Sequence, residues 1–135
     1  MKFRVFDKNL KEKMIYLDQH EELRLVFYSD GTWAVLDESG SIITSNRGHG
    51  GKLMMGIDYK DKNSKEIYEG DIVHVEAVAY GININAVIIW KNGGFMLKWV
   101  CGYMSYIQYW AKQLTESEVI GNIYENPELL ESDKK

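Results

Sequence analysis

The side chains best suited to contact an anion lie in a glycine-rich stretch at 45–52, where Arg47, His49 and Lys52 stand among three glycines. A phosphate-binding P-loop requires Ser or Thr after the lysine, and Leu53 stands there. The dinucleotide-binding fingerprint also fails, because its third glycine would fall at Leu53. The stretch is therefore predicted to be a flexible loop, with anion contact by its basic side chains as the alternative.

Metal and thiol chemistry find little support in the spacing of the histidines and the cysteine. His74 and Glu76 match half of a zinc-deaminase signature, but a chain with one cysteine and one proline cannot supply the other half. On a strand these two residues would share a face as a solvated pair. Cys101 has no base close to it in sequence, so we expect a small buried side chain rather than a nucleophile. We predict no metal and no cofactor.

The carboxylates are densest between residues 58 and 71. Two of them could act as general acid and base if one were desolvated. Lysines alternate with them on turn residues, which is typical of a solvated rim, and the pattern of a calcium loop is not met. We therefore predict no catalytic residues and a protein that is not an enzyme, with an enzyme using two of these carboxylates as an alternative. The group consists of Asp58, Asp61, Glu66, Glu69 and Asp71.

The segment at 95–110 is rich in aromatic residues. Half of them would fill the core of a small barrel, and the rest could project outward as a stacking platform for bases or as anchors in a protein interface. Base stacking usually comes with a cationic groove, and few lysines are close in sequence, so a protein interface fits better. Core packing alone is the third alternative. The candidate interaction residues are Trp99, Tyr103, Tyr106, Tyr109 and Trp110.

Composition narrows the class of protein. Apolar residues make up 45% and charged residues 27%, which excludes disorder for most of the chain. The net charge of −4, from 16 Lys and Arg against 20 Asp and Glu, argues against a protein that coats nucleic acid. No apolar run approaches ~20 residues, no signal peptide is visible, and a single cysteine is typical of a reducing compartment. We therefore expect a cytoplasmic protein with no membrane span.

Period-two alternation and turn residues predict a mainly β fold of about eight to ten short strands. Hairpins are expected at Gly31, at Gly40 and at Asn92-Gly93, where residues that tolerate a positive φ separate apolar runs. A last strand with a bulge at Gly121 should precede a short C-terminal helix that begins at Asn126.

Residues 103–114 allow two interpretations. Ile107, Ala111 and Leu114 have helical spacing, together with Met104. The aromatic residues among them have strong β propensity, and we predict a strand on that ground.

The expected architecture is a small barrel or sandwich. The stretch at 69–75 looks like the first strand of SH3-like small barrels, which is an analogy of fold and carries no function. The length favours a single domain over 1–135, with two β subdomains at about 1–57 and 58–130 as the alternative.

The sequence resembles the YopX family, small proteins encoded by phages and prophages of Gram-positive bacteria. The stretch at 61–73 (DKNSKEIYEGDIV) looks like the central motif of the family, and 118–130 (EVIGNIYENPELL) looks like its terminal motif. The opening segments at 3–7 and 14–18 are similar to its start. Ser64 departs from the pattern, because the family's turn commonly carries Gly there, and we expect a different turn geometry at this position.

The resemblance implies a β-rich, oligomeric phage protein in the bacterial cytoplasm, and it brings no assigned activity. The leading hypothesis is a non-enzymatic interaction module that self-assembles or binds host or phage proteins. The alternative is a small barrel that binds single-stranded nucleic acid. Duplex DNA is an unlikely partner, since its binding needs concentrated positive charge. Any function is expected in the loop at 45–52 or in the aromatic segment.

Overall fold

The computed structural model describes residues 1–131 and is mainly β, as predicted. The chain forms two compact units, Met1–Met55 and a second that begins at Gly56. Among the described residues, no helix is both long enough and apolar enough to cross a bilayer. The strands of the first unit are β1 (Phe3–Phe6), β2 (Met14–Tyr16), β3 (Arg24–Phe27), β4 (Trp33–Leu36) and β5 (Ile42–Ser45), followed by β6 (Lys52–Lys60), which runs on into the second unit.

The second unit holds the remaining strands and the single α-helix of the described chain. Several strands are only three residues long, which is why the total of twelve exceeds the eight to ten expected from alternation. These elements are β7 (Glu66–Tyr68), β8 (Asp71–Ala77), β9 (Ile82–Lys91), β10 (Gly94–Trp99), β11 (Met104–Tyr106), α1 (Ala111–Thr115) and β12 (Glu118–Asn122).

In the first unit, β1 lies between β2 and the start of β6, and β3, β4 and β5 form a separate three-stranded sheet. The small core consists of Val5, Trp33 and Val35. Alternation along β1 would turn Arg4 towards solvent, yet Arg4 is buried, with its guanidinium carbon 5.9 Å from the centre of the Tyr16 ring. A charged side chain is therefore placed inside a unit whose apolar core is small.

In the second unit, a curled sheet with the order β11-β10-β9-β8-β12 forms a half-barrel around the larger core. Val73 and Val75 point into this core, while His74 and Glu76 lie on the other face of β8, as alternation predicts. Gly70 precedes β8 with φ +89°, a left-handed conformation at the sharp turn into this strand.

Four five-residue turns close in the same way. The first N–H donates to the carbonyl of the fifth residue, and the N–H of the fourth donates back to the carbonyl of the first, in 28–32, 37–41, 61–65 and 99–103. The fourth residue is left-handed each time, with the φ values of Gly31 (+86°), Gly40 (+86°), Ser64 (+63°) and Gly102 (+97°).

Ser64 therefore has the conformation that glycine has in the three related turns of this chain, and the turn at 61–65 closes as they do. The predicted hairpins at Gly31 and Gly40 are confirmed. The hairpin between β9 and β10 is confirmed as well, with positive φ at both Asn92 and Gly93, as a type I′ turn requires.

The strand predicted over 103–114 is wrong for most of its length. Only Met104–Tyr106 form β11; residues 107–110 form a 3-10 turn that leads into α1. Ile107 and Leu114 are buried in the core of the second unit. Burial of the helically spaced apolar residues therefore outweighs the β propensity of the aromatic residues between them.

The C-terminal segment ends in the two features predicted for it. The bulge in β12 is confirmed, because the register with β8 shifts between Val119 and Gly121. The short helix is present as one turn of 3-10 helix, Pro127–Leu130, with proline at its start. Asn126 does not cap this turn, since its Oδ1 accepts a hydrogen bond from the Asn122 backbone N–H at 3.2 Å.

Candidate interaction surfaces

The eight predicted interaction residues fall into two groups that belong to different units. Arg47, His49 and Lys52 lie in the first unit, and the five aromatic residues lie in the second. The structure thus provides two candidate surfaces, one in each unit.

The loop between β5 and β6 is organised by the hydroxyl of Ser45. This oxygen lies 2.8 Å from His49 Nδ1 and accepts a hydrogen bond from the Arg47 backbone N–H at 3.0 Å. The Arg47 guanidinium donates to Asp30 at 3.1 Å and lies 5.8 Å from the centre of the Tyr28 ring. An anion at this loop would have to compete with the Asp30 carboxylate for Arg47.

Two further observations bear on the same loop. The pKa of Asp30 is lowered, because the hydroxyl and backbone N–H of Thr32 donate to its carboxylate and Arg47 lies beside it. The carboxylate therefore stays ionised and remains paired with Arg47. Lys52 is exposed at the first position of β6, opposite Phe6 of β1. Lys52 is the predicted member that remains open to an anion.

The five aromatic residues divide between core and surface. Trp99 is 5% exposed and belongs to the core, and Trp110 packs edge-to-face on it with ring centres 5.2 Å apart. Tyr106 is half-buried beside Gly94, where an added Cβ would lie 3.1 Å from the Tyr106 ring. Tyr103 and Tyr109 are 63% and 73% exposed. Core packing therefore accounts for some of these rings and leaves two tyrosines to solvent.

Tyr80 joins this group, although it was not among the predicted interaction residues. It lies on a 3-10 turn between β8 and β9, is 68% exposed, and contacts the Trp110 ring edge-to-face at 6.1 Å between centres. The only local signal is the apolar Val78-Ala79-Tyr80 sequence before Gly81, where alternation stops. Tyr80 and Trp110 are far apart in sequence, and the strands between them bring the two rings together.

Together these residues border two adjoining hollows in the second unit. One, of about 410 Å³, is lined by Trp99, Cys101 and the first residues of β9, and the other, of about 590 Å³, is lined by Tyr80, Ser105 and Tyr109. Both share the same central side chains. We call this surface the aromatic groove and define it by Tyr80, Ile82, Trp99, Tyr103, Tyr109 and Trp110.

Cys101 was predicted to be buried, and this is wrong. The residue is exposed in the turn between β10 and β11 and lines the first hollow. Cys101 falls in the closing turn of a hairpin, where side chains point outward.

The aromatic groove is uncharged along its described lining. Its polar groups are the side-chain amides of Asn83 and Gln113, the hydroxyls of Ser105 and the tyrosines, and the Cys101 thiol. Such a surface offers apolar burial, ring stacking and a few neutral hydrogen bonds. It is suited to recognise an uncharged, apolar partner.

The carboxylates predicted to form a solvated rim are not all at the surface. Asp61 and Asp71 are buried, and their oxygens accept backbone hydrogen bonds: Asp71 from Tyr68, and Asp61 from Asn63, Lys65 and Val119. The prediction is wrong for these two residues because the turns fold around the carboxylates instead of presenting them to water.

His74 and Glu76 form the same-face pair expected of neighbours on one side of a strand. His74 Nε2 lies 3.6 Å from Glu76, and its Nδ1 lies 2.8 Å from the side-chain oxygen of Asn85 on β9. Among residues 1–131, no group of three or more His, Cys, Asp or Glu side chains is placed to hold a metal ion.

Comparison with known proteins identifies relatives over nearly the whole chain. The family model described as YopX protein matches residues 2–131, in agreement with the resemblance of the sequence motifs. The crystal structure of protein yopX from Bacillus subtilis is 26% identical and superposes with a TM-score of 0.72, over 96% of this chain and 97% of that chain. Protein EF1440 from Enterococcus faecalis, at 24% identity and a TM-score of 0.55 over 96% of each chain, shares the fold. No curated protein matches the chain.

Proposed function

We propose that this chain, which belongs to the YopX family, is a non-enzymatic interaction module whose aromatic groove binds protein partners. One observation carries the proposal: Tyr80, Tyr103 and Tyr109 remain largely exposed around an uncharged hollow backed by Trp110. The resemblance to phage and prophage proteins supports a role in the cytoplasm of an infected or lysogenic bacterium.

The energetic basis is the burial of tyrosine rings on binding. Tyrosine and tryptophan are the residues most often found as interface hot spots, because they bury a large apolar area with few rotatable bonds. Loss of one such anchor typically costs about 1–2 kcal/mol or more of binding free energy. Trp110 contacts both Trp99 and Tyr80, so the floor of the groove is held by ring packing and need not reorganise when a partner binds.

A non-enzymatic role is supported by how the titratable groups are used. Asp61 and Asp71 are occupied with backbone N–H groups, and the thiol of Cys101 lies among aromatic and amide side chains. General acid–base catalysis needs a titratable group within hydrogen-bond reach of a substrate. The described lining of the groove offers aromatic, amide, hydroxyl and thiol groups and no carboxylate, imidazole or amine.

Single-stranded nucleic acid is the second candidate for the groove, because exposed tyrosines can stack on bases. Such binding normally pairs the stacking rings with cations that follow the phosphates. The described lining of the groove carries no charge, so the observations favour a protein partner.

Affinity capture from infected cells tests the proposal. Tagged native chain would be compared with the double variant Tyr103→Ser/Tyr109→Ser, with mass spectrometry and nucleic-acid detection on each eluate. Trp90→Ser is the matched control, because Trp90 is also an exposed aromatic residue of the second unit but lies eight residues along β9 from Ile82, about 26 Å away.

We expect the native chain and Trp90→Ser to retain the same proteins, and the double variant to lose them. Equal capture by the double variant would remove the groove from the proposal. Signals that disappear on nuclease treatment would favour the nucleic-acid alternative.

A further inference from the structure

We infer that the partner enters the aromatic groove as an extended segment of protein chain that adds to the outer edge of β11, with apolar side chains in the groove and an acidic side chain near Lys98. The inference rests on the proposed function, because it names the form and chemistry of the partner at the same surface. It is carried by the direction of the β11 backbone groups, the size of the two hollows and the distribution of charge along the chain.

β11 ends the five-stranded sheet, and no strand of the described chain pairs with its outer side. The Trp99 N–H donates to the Tyr103 carbonyl, so these two residues form a hydrogen-bonded pair at the start of the β10–β11 ladder. Hydrogen-bonded and non-hydrogen-bonded pairs alternate in an antiparallel ladder. The next pair, Met104 with Lys98, is therefore non-hydrogen-bonded, and the Met104 N–H and carbonyl point outward, where an added strand binds them.

This register fixes where the side chains of the added segment go. The segment residue that bonds Met104 lies directly opposite it, and its two neighbours lie opposite Tyr103 and Ser105. Tyr103 and Ser105 share a face of β11, and both line the groove. Because side chains alternate along a strand, the two neighbours point to the groove, about 6–7 Å apart, and the residue between them points to the opposite face.

The two hollows have room for those two side chains. Their volumes are about 410 Å³ and 590 Å³, and Tyr103 borders both. An engineered apolar cavity of about 150 Å³ binds benzene, so each hollow admits an aromatic ring. The walls are apolar and aromatic, with Trp110 common to both hollows. Large apolar or aromatic side chains are therefore the ones that this register places best.

The exposed ring area favours a short segment over a folded partner. Tyr80, Tyr103 and Tyr109 are each about two-thirds exposed, and a buried tyrosine removes about 150–250 Å² from water. The three rings offer roughly 300–500 Å², well below the about 800 Å² that each folded partner contributes to a standard interface. An added strand also gains main-chain hydrogen bonds, so its binding does not depend on ring burial alone.

The charge of the chain around the groove differs from that of the rest. Residues 77–115, which include every residue that defines the groove, contain three lysines and no Asp or Glu. The remaining residues hold all 20 acidic residues and 13 of the 16 basic ones. An acidic segment is therefore attracted to this part of a chain that is otherwise strongly acidic.

Lys98 gives this attraction a position. Its side chain shares a face with Met104, opposite which the central residue of the segment lies. That residue is two strand spacings from Lys98, about 9–10 Å, and the flexible lysine stem can span much of this distance. A carboxylate between the two apolar side chains is thus the complementary choice.

Selection of random heptapeptides on the immobilised full chain tests the inference. We expect enrichment of peptides in which two aromatic or large apolar residues flank one residue, with Asp or Glu at or beside that position. Their dissociation constants should be about 1–100 μM. Enrichment of basic peptides, or of none, would overturn the inference.

Variants of the chain locate the site with the most enriched peptide as the probe. Tyr103→Ser should raise its dissociation constant about tenfold or more and Lys98→Gln about threefold. Trp90→Ser, the matched exposed aromatic control, should leave it within about twofold. Equal binding by the native chain and Tyr103→Ser would contradict the site. Displacement of the peptide by an equal concentration of a short oligothymidylate would assign the groove to nucleic acid and overturn the inference.

An N-methyl scan of the same peptide tests strand addition. The central residue donates its N–H to the Met104 carbonyl, whereas the N–H groups of its two neighbours point away from β11. N-methylation should therefore weaken binding about tenfold at the central position and by less than about threefold at either neighbour. Equal effects at all three positions would contradict pairing with β11, and this measurement needs no variant of the chain.

The two proposals can fail separately. If proteins captured from infected cells depend on Tyr103 and Tyr109 but no peptide is selected, the extended segment is overturned and the interaction module stands. If selected peptides bind at Tyr103 and proteins are captured equally by the native chain and the double variant, the segment-binding site stands and the groove is removed from the proposed function.

Discussion

Asp61 and Val119 lie 58 residues apart in the chain, and the Asp61 Oδ2 accepts a hydrogen bond from the Val119 backbone N–H at 2.9 Å. The other carboxylate oxygen of Asp61 accepts from the backbone N–H groups of Asn63 and Lys65, each at 2.9 Å. One buried carboxylate thus closes its own turn and fixes the start of β12.

The first prediction concerns the charge of Asp61. Burial acts to raise its pKa, but the hydrogen bonds from Val119, Lys65 and Asn63 outweigh burial, so its pKa is lowered. A depressed acid pKa stabilises the fold above the unfolded-state value of about 3.9, and the contribution is lost as pH falls through the folded pKa. The free energy of unfolding should therefore decline below about pH 4.

Asp61→Asn should lower the free energy of unfolding by about 1–3 kcal/mol at pH 7, because an amide cannot accept all three hydrogen bonds. The difference from the native chain should shrink below about pH 4, as the native carboxyl is protonated. Asp58→Asn is the control, since Asp58 is exposed and Asn tolerates its left-handed φ of +64°. Urea titrations at pH 7 and pH 3 measure both effects, and equal losses at the two pH values would contradict the role of the charge.

The second prediction compares two related turns, in which opposite substitutions should change the free energy of unfolding in opposite directions. Ser64→Gly should raise the free energy of unfolding by about 1 kcal/mol or less, because glycine adopts the left-handed φ without strain but has a more flexible unfolded chain. Gly40→Ser, at the same position of the turn 37–41, should lower it by about 1 kcal/mol. Thermal unfolding midpoints that move in the same direction for both variants would show that left-handed strain is not what distinguishes them.

The third prediction concerns close packing at Gly121. A Cβ added there would lie 2.5 Å from Asn126 Oδ1 and 2.9 Å from Asn126 Cβ. Gly121→Ala should therefore cost about 1–3 kcal/mol of stability. Removing the Asn126 amide in Gly121→Ala/Asn126→Ala should recover part of this loss, and the double-mutant cycle measures the clash directly. Strict additivity of the two single variants would show that Asn126 is not the obstacle.

The fourth prediction concerns the backbone before β8. Gly70 has φ +89°, donates its N–H to the Ile88 carbonyl at 2.8 Å, and accepts a hydrogen bond from Ile123 at 2.9 Å. Because both hydrogen bonds hold the left-handed conformation in place, Gly70→Val should cost about 1–3 kcal/mol. An unchanged denaturation midpoint would mean that residue 70 relaxes to an ordinary conformation at no cost.

Local turn chemistry made much of the fold predictable. Gly31, Gly40 and Asn92-Gly93 each mark a hairpin in the sequence because a positive φ is needed within a few residues of the strands it joins. The conformation of residues 107–115 was predicted wrongly, because it depends on the burial of Ile107 and Leu114 against distant strands. Propensity describes a residue alone, and here the contacts came from elsewhere in the chain.

The aromatic groove was predictable only in part. Tyr103, Tyr109 and Trp110 are close in sequence and were recognised as a group, whereas Tyr80 reaches Trp110 through a connection of thirty residues that no local pattern encodes. Asp61 was misjudged for the same reason. Alternating lysines suggested a wet surface, and the backbone groups that enclose the carboxylate include Val119, far along the chain.

The position of β12 sets an order of events during synthesis. The first unit is complete once Met55, in the first half of β6, has been made. β8 gains its outer neighbour, β12, only when residues 118–122 have been made. β8 itself ends at Ala77, and at ~5–20 residues per second the ribosome needs roughly 2–9 s to make the chain from there to Asn122. Through that interval the nascent chain carries an unpaired β8 edge, and the Asp61 carboxylate lacks its hydrogen bond from the Val119 N–H. Premature termination before residue 118 would therefore release the second unit with one side of its sheet open.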